Sequence, residues 1–525
     1  KAYYKVDFRN ILIKFAAKFT ITHKMKRIFL PITLMLAGVM MLASCLGDDS
    51  DSSDIVYYGD GAITSFSLGT LNKYYLYNNG DTIKKTTDGT DSTTTVDCSS
   101  VKMTIDQLAY AKDKDGNLTK CHPIFNTDSL PAGTDISKVV TTVNSKNSGV
   151  VTLLRLKKNA TDKDTLDYYS SSDSIDFTTP REFRVFSTDG TYYRRYLVTL
   201  NVHKEQPDSF VWHRQSMENI VSTETNIAAA KTVTAGNSIF TIFSNGSNSC
   251  FIGKNATDDS KDWYVTGSNM NMVFEPEAYK NVASLDGWVY LLNQGTLFRA
   301  EDAHTWQTVA SNLNDKNIKQ LIGAANGKLY ALTTSGIASS KDGVEWQEAS
   351  LDGDKDLLPV ENLNICELPL KTNSDVKRIV IIGSNPNNGG NAVVWSKLED
   401  SSEQTDSYSW SLYEGVDKYA LPDMKGLSVM YYDGKLYAIG GEGQNGSSAT
   451  AYSKIYCSTD QALTWHSSSM FSLPDGFSKD TEAAAVNMVA DKYNHVWLVS
   501  VKDGKAWKMR INRLGWKEEQ KAFNK

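Results

Sequence analysis

The residues able to do chemistry are spread through this 525-residue chain without the spacings that chemistry requires. His203, His213, His304, His466 and His495 each stand alone, and no H-E-x-x-H supplies two imidazoles and a base to a zinc ion. No C-x-x-C pairs thiols for metal or redox work. No G-x-S-x-G puts a serine on a nucleophile elbow, and no G-x-x-x-x-G-K-[ST] cradles a phosphate. Glycoside hydrolysis needs two carboxylates facing one cleft. Asp and Glu are plentiful, but their order along the chain does not say which of them face each other. No catalytic residue, metal site or cofactor is assigned.

The elements that would have to position such residues are easier to read. The stretch Ser458-Thr459-Asp460-Gln461-Ala462-Leu463-Thr464-Trp465 lies between a strand-like run, Tyr452 to Cys457, and a second one from Trp465 to Met470. Asp and Ser side chains can accept hydrogen bonds from a turn's own N–H groups. The Trp can then close over the turn as an apolar lid. Looser copies run from Asp258 to Trp263, Asp302 to Trp306 and Asp342 to Trp346. The units ending at Trp410 and Trp516 keep the Trp without the Asp turn. Ahead of each comes a turn followed by an apolar strand, clearest at Asp286-Gly287-Trp288-Val289-Tyr290, Asn326-Gly327-Lys328-Leu329-Tyr330 and Asp433-Gly434-Lys435-Leu436-Tyr437. A unit of this size repeated along the chain predicts the four-stranded blades of a β-propeller. Six blades are expected over 208–525, with seven as the alternative. The strand Phe210 to Gln215 has an outer strand's Trp but no blade before it, so it is expected either to complete the last blade as a clasp or to start a partial seventh.

The Asp-to-Trp turns resemble Asp-box repeats, and Ile439-Gly440-Gly441 resembles a kelch repeat. Asp boxes invite comparison with sialidases, which the resemblance would supply with an arginine triad, a Tyr–Glu nucleophile pair and an Arg-Ile-Pro motif. After position 208 the arginines are Arg214, Arg299, Arg378, Arg510 and Arg513, none of them in Arg-Ile-Pro. The box residues Asp258, Trp263, Asp302, Trp306, Asp342, Trp346, Asp460 and Trp465 are therefore read as structural. Trp288, Trp395, Trp497 and Trp507 lie outside the Trp-led turn, with Trp395 and Trp507 read as core.

Residues 55–205 carry no copy of the turn. Short strands are predicted at Ile63 to Leu68, Tyr74 to Tyr77, Val101 to Ile105 and Val150 to Leu156. A hairpin is predicted from Arg181 to Phe186 and Tyr192 to Val202 around Ser187-Thr188-Asp189-Gly190. This spacing points to a β-sandwich, with Asn78 to Asp97 and Lys157 to Asp173 as exposed polar insertions. Pro207 marks the junction between the domains. Cys98 and Cys121 are candidates for a disulfide. Cys250, Cys366 and Cys457 are read as small buried apolar residues.

Residues 1–24 show no fold pattern and are read as sequence upstream of a start at Met25. Met25-Lys26-Arg27, the apolar run Ile28 to Ala43 and Ser44 form a signal peptide over 25–44. Leu42-Ala43-Ser44-Cys45 resembles a bacterial lipobox, which implies a lipidated Cys45. Residues 45–54, rich in Asp and Ser, form a flexible acidic tether. In layout the chain resembles surface lipoproteins of Bacteroidota with an immunoglobulin-like domain and an Asp-box or kelch-like propeller. Asp81-Thr82-Ile83, Asp128-Ser129-Leu130, Asp164-Thr165-Leu166 and Asp173-Ser174-Ile175 resemble that group's O-glycosylation acceptor.

A net charge of −6 disfavours a nucleic-acid surface. The sequence thus predicts an all-β protein, a sandwich followed by a propeller, held at the outer membrane and cell surface through Cys45. Its propeller is expected to bind a glycan or a partner protein without catalysis. The alternative is a glycan-active hydrolase with a carboxylate pair in the propeller mouth.

Overall fold

The computed structural model describes residues 59–76, 82–83, 93–110, 112, 120–155, 164–217, 227–270, 272–370, 372–400, 408–414, 417–477 and 485–517. Cys45, the predicted signal peptide and the acidic tether lie outside the described residues, as does Asp81. Among the described residues no helix is long and apolar enough to cross a membrane.

The first domain packs small sheets against a large one. Ile63–Leu68 pairs with Thr141–Ser145, and Thr70–Leu76 with Thr82–Ile83 and Thr93–Asp97. The larger sheet has the order Met103–Ile105, His122–Asn126, Tyr193–Thr199, Arg181–Phe186, Val150–Arg155 and Thr165–Tyr168. Every pairing in it is antiparallel except that of His122–Asn126 with Tyr193–Thr199. Phe66 and Leu71 meet Phe183, Val185, Tyr196 and Val198 in one core, and Phe66 meets the Phe183 ring edge-on at 5.8 Å. The predicted hairpin forms. Its turn is held by Asp189, which accepts from Ser187 Oγ at 2.5 Å and Thr191 N–H at 3.0 Å.

Two polar stretches expected as loops contain strands instead. Thr93–Asp97 pairs with Thr70–Tyr74, and Thr165–Tyr168 forms the edge of the large sheet. The threonines in these stretches are β-branched, and their preference for extended backbone outweighs their polarity. Cys98 and Cys121 are unbonded and buried, and burial pushes both thiols up to about 11. Cys366 is buried as expected, whereas Cys250 and Cys457 are only half-buried.

The propeller has six sheets. The innermost strands are Ala229–Ala235, Val282–Leu285, Ile318–Ala325, Glu361–Pro369, Ser428–Tyr432 and Val486–Ala490, in blades 1 to 6. Each packs beside the next, and the last returns to the first, closing the ring. The strands after the Asp-Gly and Asn-Gly turns are the second strands of their blades. Asp286, Asn326 and Asp433 have φ of 52°, 47° and 50°, and the glycines that follow also have positive φ, as a two-residue hairpin turn requires. These second strands are mostly apolar because both faces are covered by neighbouring blades. In Lys328–Thr333 every residue after Lys328 is buried.

Closure answers the question of blade number. The fourth strand of blade 6 is His213–Ser216, which pairs antiparallel with Lys505–Met509. Trp212 leads it, as Trp306 leads Gln307–Thr308, and its Nε1 donates to Ser472 O at 3.0 Å. The chain therefore closes its ring with a clasp that covers the outer edge of Lys505–Met509. Trp516, expected as the sixth outer-strand Trp, follows the short helix Asn512–Gly515 and stacks on His203 at 3.7 Å. That helix pins the junction between the domains. Arg513 N–H donates to Pro207 O at 3.0 Å, and its guanidinium pairs with Asp208 at 2.7 Å and with Asp433.

Candidate binding site at the channel mouth

Inner strands of a propeller have one edge toward the central channel, and here that edge is polar. Lys231 of blade 1 extends past blade 2, and its Nζ donates to Ile322 O of blade 3 at 2.9 Å. Thr232 Oγ1 donates to Asn487 Oδ1 of blade 6 at 3.1 Å. Asn364 of blade 4 donates to Leu427 O at 3.0 Å and accepts from Val429 N–H at 2.9 Å, so its amide stands in for a backbone group of blade 5. Ser428 Oγ and the backbone of Met488 exchange hydrogen bonds between blades 5 and 6. Neighbouring sheets are not joined by a ladder at the channel, so side chains satisfy the polar groups that face it.

These strands open into a cavity of about 220 Å³. Its lining includes Lys231, Tyr279, Lys280, Gln320, Glu361, Asn362, Asn364, Lys425, Ser428, Gln444 and Asn487. Tyr279 and Lys280 come from the 3-10 helix Pro276–Asn281 that leads into blade 2. Gln444 comes from the loop between the second and third strands of blade 5. Beneath it Asp423, fully buried, accepts from Ser384 Oγ at 2.6 Å, Gln444 Nε2 at 3.0 Å and Asn445 Nδ2 at 2.8 Å. The loop of blade 4 crosses that of blade 5 at Gly390 and Gly446. A Cβ on Gly390 would stand 2.7 Å from the Gly446 backbone, so only glycine permits the crossing.

The charges at the mouth differ in how they are compensated. Lys280 is paired with Glu277 at 2.6 Å, and Lys425 with Glu442 at 3.5 Å. Burial works against the Lys280 charge, but the Glu277 carboxylate outweighs it and holds the amine above its usual range. The Glu361 charge also reaches Lys280 and Tyr279. Lys231 has no ion-pair partner among the described residues. Lys231 is half-buried and lines the cavity, and the desolvation of its amine pulls it down to about 8.

This inventory is rich in amides and hydroxyls. Glu361 is the one carboxylate among the described lining residues, and Glu277 and Glu442 stand beside it at the rim, each held by a lysine. No arginine is among the described residues that line the cavity. Arg299 lies over Trp288 at 4.6 Å, Arg378 donates to Ser396 Oγ at 3.1 Å, and Arg513 is held at the junction, so no arginine triad forms at the mouth. Among the described residues no group of His, Cys, Asp and Glu could hold a metal ion.

The box residues lie elsewhere. Gln444, between second and third strands, is at the mouth, so the turns after the third strands lie at the opposite end of the sheets. Asp460 accepts from Ser458 Oγ at 2.8 Å and Thr464 N–H at 2.9 Å, and Trp465 Nε1 donates to Ala462 O at 3.2 Å. Asp342 repeats this with Val344 N–H at 2.8 Å, and Trp346 with Gly343 O at 3.0 Å. Asp302 accepts from the N–H groups of His304 and Thr305, and Asp258 from Ser260. Burial opposes ionisation at Asp460 and Asp302, but these hydrogen bonds outweigh it. At Asp258 and Asp342 the hydrogen bonds dominate outright. All four carboxyls are held below the ordinary 3.8. Trp263, Trp306, Trp346 and Trp465 are each buried in a different interface between neighbouring blades. Trp395, Trp497 and Trp507 are buried too, and Tyr279 is the one aromatic side chain among the described residues that line the mouth.

None of the mouth residues was singled out from the sequence. A signal was available in Lys231-Thr232, Asn362-Leu363-Asn364 and Asn487, polar residues inside segments that otherwise read as buried strands.

Family models match both parts of the chain. Residues 66–200 match the N-terminal domain of DUF6242, a domain of unknown function, and residues 206–519 match the DUF6242 beta propeller domain. No curated protein matches. Similar solved structures include an α-L-arabinanase of Penicillium chrysogenum, complexed with arabinobiose. It is 10% identical over 58% of this chain and 98% of that one, with a TM-score of 0.32. A virginiamycin B lyase of Staphylococcus aureus is 10% identical over 57% and 99%, with a TM-score of 0.31. An α-L-arabinofuranosidase of Fusarium graminearum is 11% identical over 54% and 92%, with a TM-score of 0.31. At these scores the likenesses carry no argument about what this chain binds.

Proposed function

We propose, on the premise that the chain belongs to the DUF6242 family through both its N-terminal and its β-propeller domain, that the propeller is a non-catalytic binding module whose ligand seats in the channel mouth. The observation that carries this reading is the lining itself. Amides of Gln320, Asn362, Gln444 and Asn487, with the ammonium of Lys231, offer donors and acceptors suited to a polyhydroxylated ligand. At about 220 Å³ the cavity is smaller than the roughly 300–1,000 Å³ of sites that enclose a drug-sized molecule. It suits one residue or the end of a glycan, and a glycan is favoured over a protein partner for that reason. A hydrolase would need a second carboxylate facing Glu361.

The remaining parts of the proposal concern address. Lipidation at Cys45, supported by the lipobox-like Leu42 to Cys45, would anchor the chain at the outer membrane and the cell surface, without spanning it. The acidic stretch to Asp54 would serve as tether, and the first domain, read as immunoglobulin-like, as spacer. The Asp-to-Trp turns are read as Asp-box-like and purely structural. Of the glycosylation-like triplets, Asp164-Thr165-Leu166 and Asp173-Ser174-Ile175 present exposed hydroxyl residues, while Ser129 is buried, which favours the first two as acceptors.

A glycan array combined with a hydrolysis screen tests the binding reading. Retention of a glycan without turnover, lost on replacing mouth residues, supports it. Turnover of any substrate that depends on Glu361 would sink it.

A further inference from the structure

Among the described residues Lys231 is a cation without a counter-ion. Its Nζ carries protons for three hydrogen bonds and makes one to a described partner, Ile322 O at 2.9 Å. The nearby lysines at the rim already have carboxylates, Lys280 at 2.6 Å and Lys425 at 3.5 Å. Removing an ammonium from water without a compensating anion is unfavourable, and burial lowers this amine to about 8. The cavity around it also has unused hydrogen-bonding capacity toward described residues. Gln320 makes no side-chain hydrogen bond there. Asn487 uses its Oδ1 on Thr232, which leaves its NH₂, and Asn362 uses its Nδ2 on Ser384, which leaves its Oδ1.

We propose that the mouth takes an acidic saccharide, a hexuronate residue whose carboxylate seats on Lys231 while its ring hydroxyls meet Gln320, Asn362 and Asn487. This rests on the saccharide reading above and narrows it to a charged class. A neutral sugar would leave the ammonium unpaired. A phosphate dianion would meet only one unpaired cation in the cavity, whereas a carboxylate matches it in charge.

The test uses the full chain, with lysine side chains labelled for NMR, titrated with glucuronate and with glucose, which share a ring and differ at one carbon. Glucuronate is expected to move the Lys231 Nζ resonance, raise its titration midpoint and bind at least tenfold more tightly than glucose at pH 7. This preference should fade as pH rises past about 8, because the ammonium is then lost. Lys231→Met should abolish the preference. Because the resonance is read in the native protein, the test does not depend on that variant folding. Equal binding of the two sugars, an unmoved Lys231, or acetate acting as strongly as glucuronate would overturn the inference. Capture of neutral glycans, equally by the native protein and Lys231→Met, would overturn it and leave the saccharide reading standing. An array on which no glycan is held by either protein would bring down that reading as well.

Discussion

At the scale of single residues, the box tryptophans and the channel lysine are buried for opposite reasons. Trp465 is apolar mass between blades 4 and 5, packed with Val380 and Leu436, and only 4% exposed. Trp465→Ala should lower stability by roughly 3–5 kcal/mol, measured by denaturant unfolding, while leaving ligand affinity in the still-folded protein unchanged. A matching loss of affinity without loss of stability would contradict its structural role. Lys231 is charged mass, and its stability effect runs the other way. Its amine sits at about 8 when folded, against 10.5 when unfolded. Between those values the unfolded chain binds more protons, so stability rises with pH there, and the full penalty applies below about 8. Lys231→Met is therefore expected to be more stable than the native protein at pH 7, by about 2 kcal/mol once the lost hydrogen bond to Ile322 is set against the gain. The gap should narrow toward pH 10.5. A variant less stable at pH 7, or a gap that widens with pH, would show the amine to be well solvated.

Among the elements, the clasp is the one on which closure depends. His213–Ser216 pairs with Lys505–Met509, and Trp212 packs beside Phe210 into the interface of blades 5 and 6. A chain starting at Glu205 should fold with a cooperative thermal transition, because it keeps the clasp. A chain starting after Met217 leaves the outer edge of the third strand of blade 6 unpaired, and it should aggregate or lose its transition. Equal stability of the two would mean that the ring closes without the clasp. How far the sequence revealed these elements depends on how local their physics is. The turns at Asp286-Gly287 and Asn326-Gly327, the box at Ser458 to Trp465 and the hairpin around Asp189 are each made by neighbouring residues, and each was legible. Trp516 was misplaced because the Trp that completes the ring, Trp212, lies at the other end of the propeller. The mouth was illegible for the same reason. Its hydrogen bonds join positions 91 and 255 residues apart, Lys231 to Ile322 and Thr232 to Asn487, and no spacing along the chain records which blades meet.

At the scale of the whole molecule, two domains stand in series. The junction is held by Arg513 on Asp208 and by Trp516 on His203. If Cys45 carries the lipid, the propeller mouth is the part displayed and the first domain sets its distance from the membrane. Cys45→Ala should leave the precursor unprocessed by the lipoprotein pathway, seen as an uncleaved band in membrane fractions. A variant that matures and stays membrane-bound would show that the anchor is elsewhere. The central claim is that the channel mouth binds a glycan and does no chemistry on it. It is tested most directly by titrating the purified full chain and its Gln320→Ala, Asn362→Leu double variant with a glycan retained on an array, while monitoring new reducing ends. The account predicts that affinity falls at least tenfold in the variant and that no reducing ends form with either protein. Unchanged affinity, or reducing ends released by the native protein, would contradict it.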